Sequence, residues 1–134
     1  KKTAVFDLID EGHHIYLPVG PEIITGSTRM KAGTAQKLVL NMITTTAMIR
    51  IGKVFNNLMV DLKPVNAKLV LRARRLISEV TGCSEKRAKE LFEASGNNTK
   101  VAITMGLLSV GQAEATDLLY ASEGSISKVL DSLR

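Results

Sequence analysis

Apolar positions along this chain fall into two regimes. In "LVLNMITTTAMIRIG", Leu38 to Gly52, apolar residues occupy every side of a 3.6-residue helix, and Arg50 is the only charge. Beyond Asn66 they recur at three- and four-residue spacing, punctuated by Gly, Ser and Asn. The first pattern predicts a helix from about Arg29 to Lys53, buried all round by its own domain or a partner subunit, with Gly52 as its end signal. Threonines 44 to 46 are poor helix formers that can bond back to the preceding turn.

The second pattern predicts short amphipathic helices. Leu69, Ala73, Leu76, Ile77 and Val80 share one face of a helix opened by Asn66 and closed by Gly82. Ser84 caps "EKRAKELFEAS", with Leu91 and Phe92 inward and Gly96 at its end. Asn97 or Asn98 caps "TKVAITMGLLSV", Gly111 begins "QAEATDLLYAS" and Ser125 caps "ISKVLDSLR". Helices of about ten residues do not persist alone, so these must pack as a bundle. Upstream, "HHIYLPV" (13–19) reads as a short strand stopped near Pro18 and Gly20-Pro21. "TAVFDLI" (3–9) fits a helix or a strand, and "VFNNLMVDLKP" (54–64) reads as an extended connector.

Composition narrows the class. The 134 residues are 45% hydrophobic, which suits a packed globular chain. No apolar run reaches the roughly 18 residues of a membrane span, so no membrane association is expected. "KKTAVFDLIDEGHH" carries no signal-peptide pattern, and the chain, opening on Lys, reads as a fragment. A single cysteine, Cys83, excludes an internal disulfide and fits a reduced, cytoplasmic setting. No His lies near it to make a catalytic thiol. His13 and His14 are adjacent and cannot share a helix face as metal ligands, so neither metal nor cofactor is expected.

The net charge of +5 is uneven. Residues 25–76 hold ten Lys/Arg and one acid, Asp61, for +9, leaving −4 elsewhere. A basic middle points to an anionic partner, either a phosphorylated small molecule or nucleic acid. Tyr and Phe total five, too few for the stacking platforms of a nucleic-acid binder, and no nucleic-acid partner is expected. "RARR" (72–75) alone reads as a solvated helix face.

The chemistry concentrates in "GPEIITGSTRMKAGTAQK", Gly20 to Lys37. Gly26 permits close backbone approach. Ser27 and Thr28 can cap the following helix, whose N-terminus favours an anion. Arg29 and Lys31 add full charges, and Glu22 can accept sugar hydroxyls or move a proton. An ordinary turn plus N-cap uses the same residue types, and both readings stand at this level. Neither a Walker A loop nor a G-x-G-x-x-G fingerprint is present.

This stretch resembles the signature shared by bacterial N-acetylmuramic acid 6-phosphate etherases and the animal glucokinase regulatory protein. "LVLNMITTTAMIRIGKVFNNLMVDLKPVNAKL" is similar to the family's continuation, and the resemblance covers about residues 13–134. It implies an α/β fold: the C-terminal part of a sugar isomerase (SIS) domain over 1–82, then a small all-α domain over 83–134. "AKELFEASGNNTKVAITMGLLSV" is similar to the three-helix ubiquitin-associated pattern, as shared topology without ubiquitin binding. The implied activity is cleavage of a lactyl ether to give N-acetylglucosamine 6-phosphate and D-lactate. The regulator-like alternative is a non-catalytic sugar-phosphate sensor. The family's two catalytic glutamates and its serine-rich phosphate loop are expected upstream, so no catalytic residue is assigned within these residues. Glu22, Thr25, Ser27, Thr28, Arg29 and Lys31 are the implied substrate-binding residues, in a homodimer without metal.

Overall fold

The computed structural model describes residues 14–134, so the 3–9 segment and His13 lie outside the described residues. The chain divides into two compact units between Thr45 and Thr46.

In the first unit, the strand expected over 13–19 does not form, and residues 14–19 have no regular structure. Pro18 lacks an N–H, and the Val19 N–H turns back to the Leu17 carbonyl at 2.9 Å. No strand among the described residues lies beside it to complete a ladder. Helix α1, Lys31–Arg50, forms close to its predicted bounds. Its expected burial does not follow: no residue of α1 is buried, and Leu38, Met42 and Ile43 are more than half exposed. Backbone hydrogen bonding sustains the helix, whereas burial needs facing surfaces that the described residues do not supply. Thr44 Oγ1 donates to the Leu40 carbonyl at 2.9 Å, the anticipated back-bond.

The second unit begins in the last turns of α1. Gly52 (φ +71) ends that helix, with the Gly52 N–H on the Ile49 carbonyl and the Lys53 N–H on that of Met48. The extended connector is an antiparallel hairpin, β1 (Val54–Phe55) and β2 (Leu58–Met59), turned at Asn56 with φ +52. It delivers Val60, fully buried, into the helical core.

Five helices follow: α2 (Ala67–Thr81), α3 (Glu85–Ala94), α4 (Thr99–Leu108), α5 (Gln112–Ala121) and α6 (Ile126–Ser132). Their starts are chemically marked, as anticipated. Asn66, Ser84, Asn98 and Ser125 each accept a first-turn N–H through the side chain, while Gly111 caps without one. Gly82 ends α2 in the left-handed region.

Ala73 and Ile77 of α2, Leu91 and Phe92 of α3, Leu119 of α5 and Val129 of α6 converge on α4, where 101–105 are all buried. The helix buried on all sides is therefore α4, not α1. A Cβ at Gly106 would lie 2.7 Å from Thr81 Cγ2, so α4 and α2 pack backbone-close. The expected 82/83 boundary falls between α2 and α3, which share this core.

Candidate functional site

The loop ahead of α1 is built by one tight turn and one long-range cap. The Ser27 N–H donates to the Ile24 carbonyl at 3.0 Å across Thr25 and Gly26, and Gly26 takes φ +85. A positive φ at the third position of such a turn is why glycine sits there. Glu22 then reaches the helix. Its Oε2 accepts from the Lys31 N–H at 3.1 Å, and its Oε1 from the Ala32 N–H at 3.0 Å. The Gly33 N–H goes to the Thr28 carbonyl and that of Thr34 to the Met30 carbonyl. All four leading N–H groups of α1 are thus satisfied by the chain itself.

The anion-favouring helix start read from the sequence is real, and its occupant is the Glu22 carboxylate. The two backbone bonds, from Ala32 first and then Lys31, hold its pKa below the ordinary 4.5, and the Lys31 charge adds to this. Glu22 is therefore ionised at neutral pH and accepts hydrogen bonds rather than donating a proton. Lys31 Nζ donates to the Pro21 carbonyl at 2.8 Å, closing the loop from the other side. The Ser27 hydroxyl accepts from the Arg29 N–H at 3.4 Å. Thr25 and Thr28 are exposed at the loop surface. Arg29 makes no ion pair among the described residues. All six candidates thus fall in one short loop and the first turn of α1, with Glu22 and Lys31 as its ties.

A second basic surface escaped the sequence reading. A hollow of about 530 Å³ at the start of α2 is lined by Asn66, Lys68, Leu69, Leu71, Arg72 and Arg75. It adjoins a groove of about 420 Å³ that shares Leu71 and Arg75 and adds Arg74, Glu85, Lys86 and Lys89. Arg74 is committed: it pairs with Glu93 at 3.4 Å and lies 5.9 Å over the Phe92 ring. Lys68, Arg72 and Arg75 make no ion pair among the described residues. The available signal was the 68/72 and 72/75 spacing, which stacks three cations on one helix stripe. Like charges so placed oppose helix formation unless an anion meets them.

Among the described residues, no His, Cys, Asp and Glu group could hold a metal, and no helix is long and apolar enough to cross a membrane.

Residues 56–105 match a family model described as the C-terminal lid domain of glucokinase regulatory protein. Over 116 residues, 87% of this chain, the sequence is 54% identical to the N-acetylmuramic acid 6-phosphate etherase of Oenococcus oeni, covering 39% of that protein. The etherase of Klebsiella aerogenes is 54% identical over 85% of the chain and 38% of its own length. That of Staphylococcus epidermidis is 48% identical over 92% of the chain and 42% of its own length. The chain thus spans about two fifths of the curated relatives it matches. The family resemblance read from the signature is borne out.

Proposed function

We propose that this chain is the C-terminal portion of an N-acetylmuramic acid 6-phosphate etherase, a carbon–oxygen lyase releasing D-lactate and N-acetylglucosamine 6-phosphate in cell-wall amino sugar catabolism. The observation that carries this is identity of about half to proteins of that name over most of the chain. The lid-domain match alone suits a regulator equally well, but the relatives at this identity bear the etherase name.

The chemistry is elimination across C2 and C3 of the sugar followed by addition of water. A weakly acidic C2 proton needs a placed base, and an alkoxide-type leaving group needs a placed acid. The acid role does not fall to Glu22, whose carboxylate is held ionised by α1, and both its oxygens are already engaged with the Lys31 and Ala32 N–H groups. The acid and base are the family's glutamates, outside these residues. Arg29 and the Thr25, Ser27 and Thr28 hydroxyls contact the sugar phosphate, while Glu22 and Lys31 shape the loop and offer Glu22's remaining lone pairs to sugar hydroxyls. Within the second unit, the α2 hollow presents the cations Lys68 and Arg72 to an anionic ligand. A domain described as a lid, with unpaired cations in a concave face, has the chemistry for that role.

In the whole protein, residues 1–82 belong to a cytoplasmic, homodimeric SIS-type enzyme, whose remaining sheet or second subunit covers the apolar α1. Residues 83–134 follow the ubiquitin-associated topology. The test is to incubate full-length protein with N-acetylmuramic acid 6-phosphate and measure D-lactate. Release is expected. Sugar-phosphate binding without release supports the regulator-like reading instead. Arg29→Ala with unchanged substrate affinity rejects the loop assignment.

A further inference from the structure

Lys100 sits in the first turn of α4, two residues past its Asn98 cap, where the positive end of the helix disfavours an ammonium. No acid shares that turn. The compensation comes from three distant segments. Lys100 Nζ donates to the Gly124 carbonyl at 3.0 Å and to the Gly52 carbonyl at 3.3 Å, and lies 3.9 Å from Asp61 Oδ1. The other Asp61 oxygen pairs with Lys53 Nζ at 3.2 Å. The Lys100 side chain is 16% exposed, so this ammonium is largely withdrawn from water. It donates to two carbonyls and faces one carboxylate at ion-pair distance, and that carboxylate is the only acid between residues 25 and 76.

The two carbonyls belong to glycines pressed together. Gly52 and Gly124 both take left-handed backbone, and a Cβ on Gly52 would lie 2.7 Å from the Gly124 oxygen. Oxygens converging on one point repel unless a cation stands there. From Asp61 the chain runs directly to Asn66, the cap of α2 and one rim of the basic hollow.

We propose that Lys100 is a positioning residue for the α2 hollow. It clasps the Gly52–Asp61 segment to the Gly124 turn and, through Asp61, fixes the approach of the chain to Asn66. The inference rests on the reading that the hollow meets the anionic substrate.

The test uses full-length protein carrying Lys100→Met, Asp61→Asn or Lys100→Arg. Hydrogen exchange is followed in peptides spanning 50–62 and 121–126, alongside thermal unfolding and kinetics with N-acetylmuramic acid 6-phosphate. For Lys100→Met, exchange in those two segments accelerates about tenfold, the effect of losing one charge-assisted hydrogen bond, while α3 and α4 stay protected. KM rises more than kcat falls, and Lys100→Arg retains most of both properties. Unchanged exchange at 50–62 sinks the clasp, and so does acceleration spread evenly through α3 and α4. Altered exchange with unchanged KM sinks the link to the hollow. Wild-type protein that binds the sugar phosphate but releases no lactate counts against the lyase reading alone, because exchange and affinity still decide the role of Lys100.

Discussion

Glu22 caps α1 from a distance: its Oε1 accepts the Ala32 N–H at 3.0 Å across ten residues of chain. The backbone bonds that make this cap also lower the Glu22 pKa. The folded value lies below the ordinary 4.5, so the stabilisation is complete above that value and is lost as pH falls through the folded pKa. The amides of Lys31 and Ala32 should therefore be protected at neutral pH and lose protection in acid, beyond the intrinsic pH dependence of exchange. Glu22→Gln should remove that dependence and leave both amides weakly protected at neutral pH. A carbon-detected titration of Glu22 with its midpoint at or above 4.5 would contradict the cap.

Gly52 and Gly82 share a left-handed backbone but not surroundings. A Cβ at Gly82 meets nothing within 4 Å, whereas one at Gly52 meets the Gly124 carbonyl oxygen at 2.7 Å. Gly82→Ala should cost about 1–2 kcal/mol, the strain of a left-handed L-residue. Gly52→Ala adds a backbone clash and should cost clearly more, by about 1–3 kcal/mol. Urea unfolding of the two variants compares them directly, and equal losses would deny the close approach.

The α5 start offers a gain. Gly111 stands at its N-cap with φ −76 and ψ 169, makes no side-chain cap and has open space at its Cβ. Ser at this position can accept a first-turn N–H without strain, and it also narrows the unfolded ensemble. Gly111→Ser should stabilise by about 0.5–1 kcal/mol, read as a higher unfolding midpoint. Asn98→Ala makes the opposite case. Its side chain accepts from Lys100 and Val101 N–H, and its loss should cost about 1 kcal/mol.

These positions show what the sequence makes legible. Caps at Asn66, Ser84 and Ser125 are local chemistry, decided within a few residues, and each reads correctly, while the choice between Asn97 and Asn98 falls to Asn98. The Glu22 cap spans nine and ten residues and depends on the turn at Gly26, so no short-range pattern announces it. The apolar run of α1 states that cover is needed without stating what provides it. In α4, Thr99 and Thr104 interrupt the apolar pattern yet lie buried, and the Thr104 hydroxyl is satisfied by the Lys100 carbonyl. The hairpin was hidden because its Asn56-Asn57 turn lacks the glycine that usually marks one. "RARR", read as a solvated face, divides: Arg72 and Arg75 are exposed, whereas Arg74 pairs with Glu93 and lies over Phe92.

That difference yields the last prediction. Arg72 lines the α2 hollow without an ion pair, whereas Arg74, two residues on, pairs with Glu93 and covers the Phe92 ring. Two residues along a helix is a rotation of about 200°, so the two guanidinium groups meet different surroundings. Arg74→Ala should lower stability by about 0.5–1 kcal/mol, because a partly exposed pair and one cation–π contact are worth little more. It should leave the affinity for N-acetylmuramic acid 6-phosphate alone. Arg72→Ala removes a cation from a stripe of like charges, so its unfolding midpoint should hold or rise slightly. Its affinity should fall about tenfold or more, the effect of one lost charge-assisted bond to phosphate. Measuring unfolding and substrate affinity on both full-length variants separates the roles. If Arg72→Ala binds substrate as well as the wild type, the α2 hollow is a solvated face.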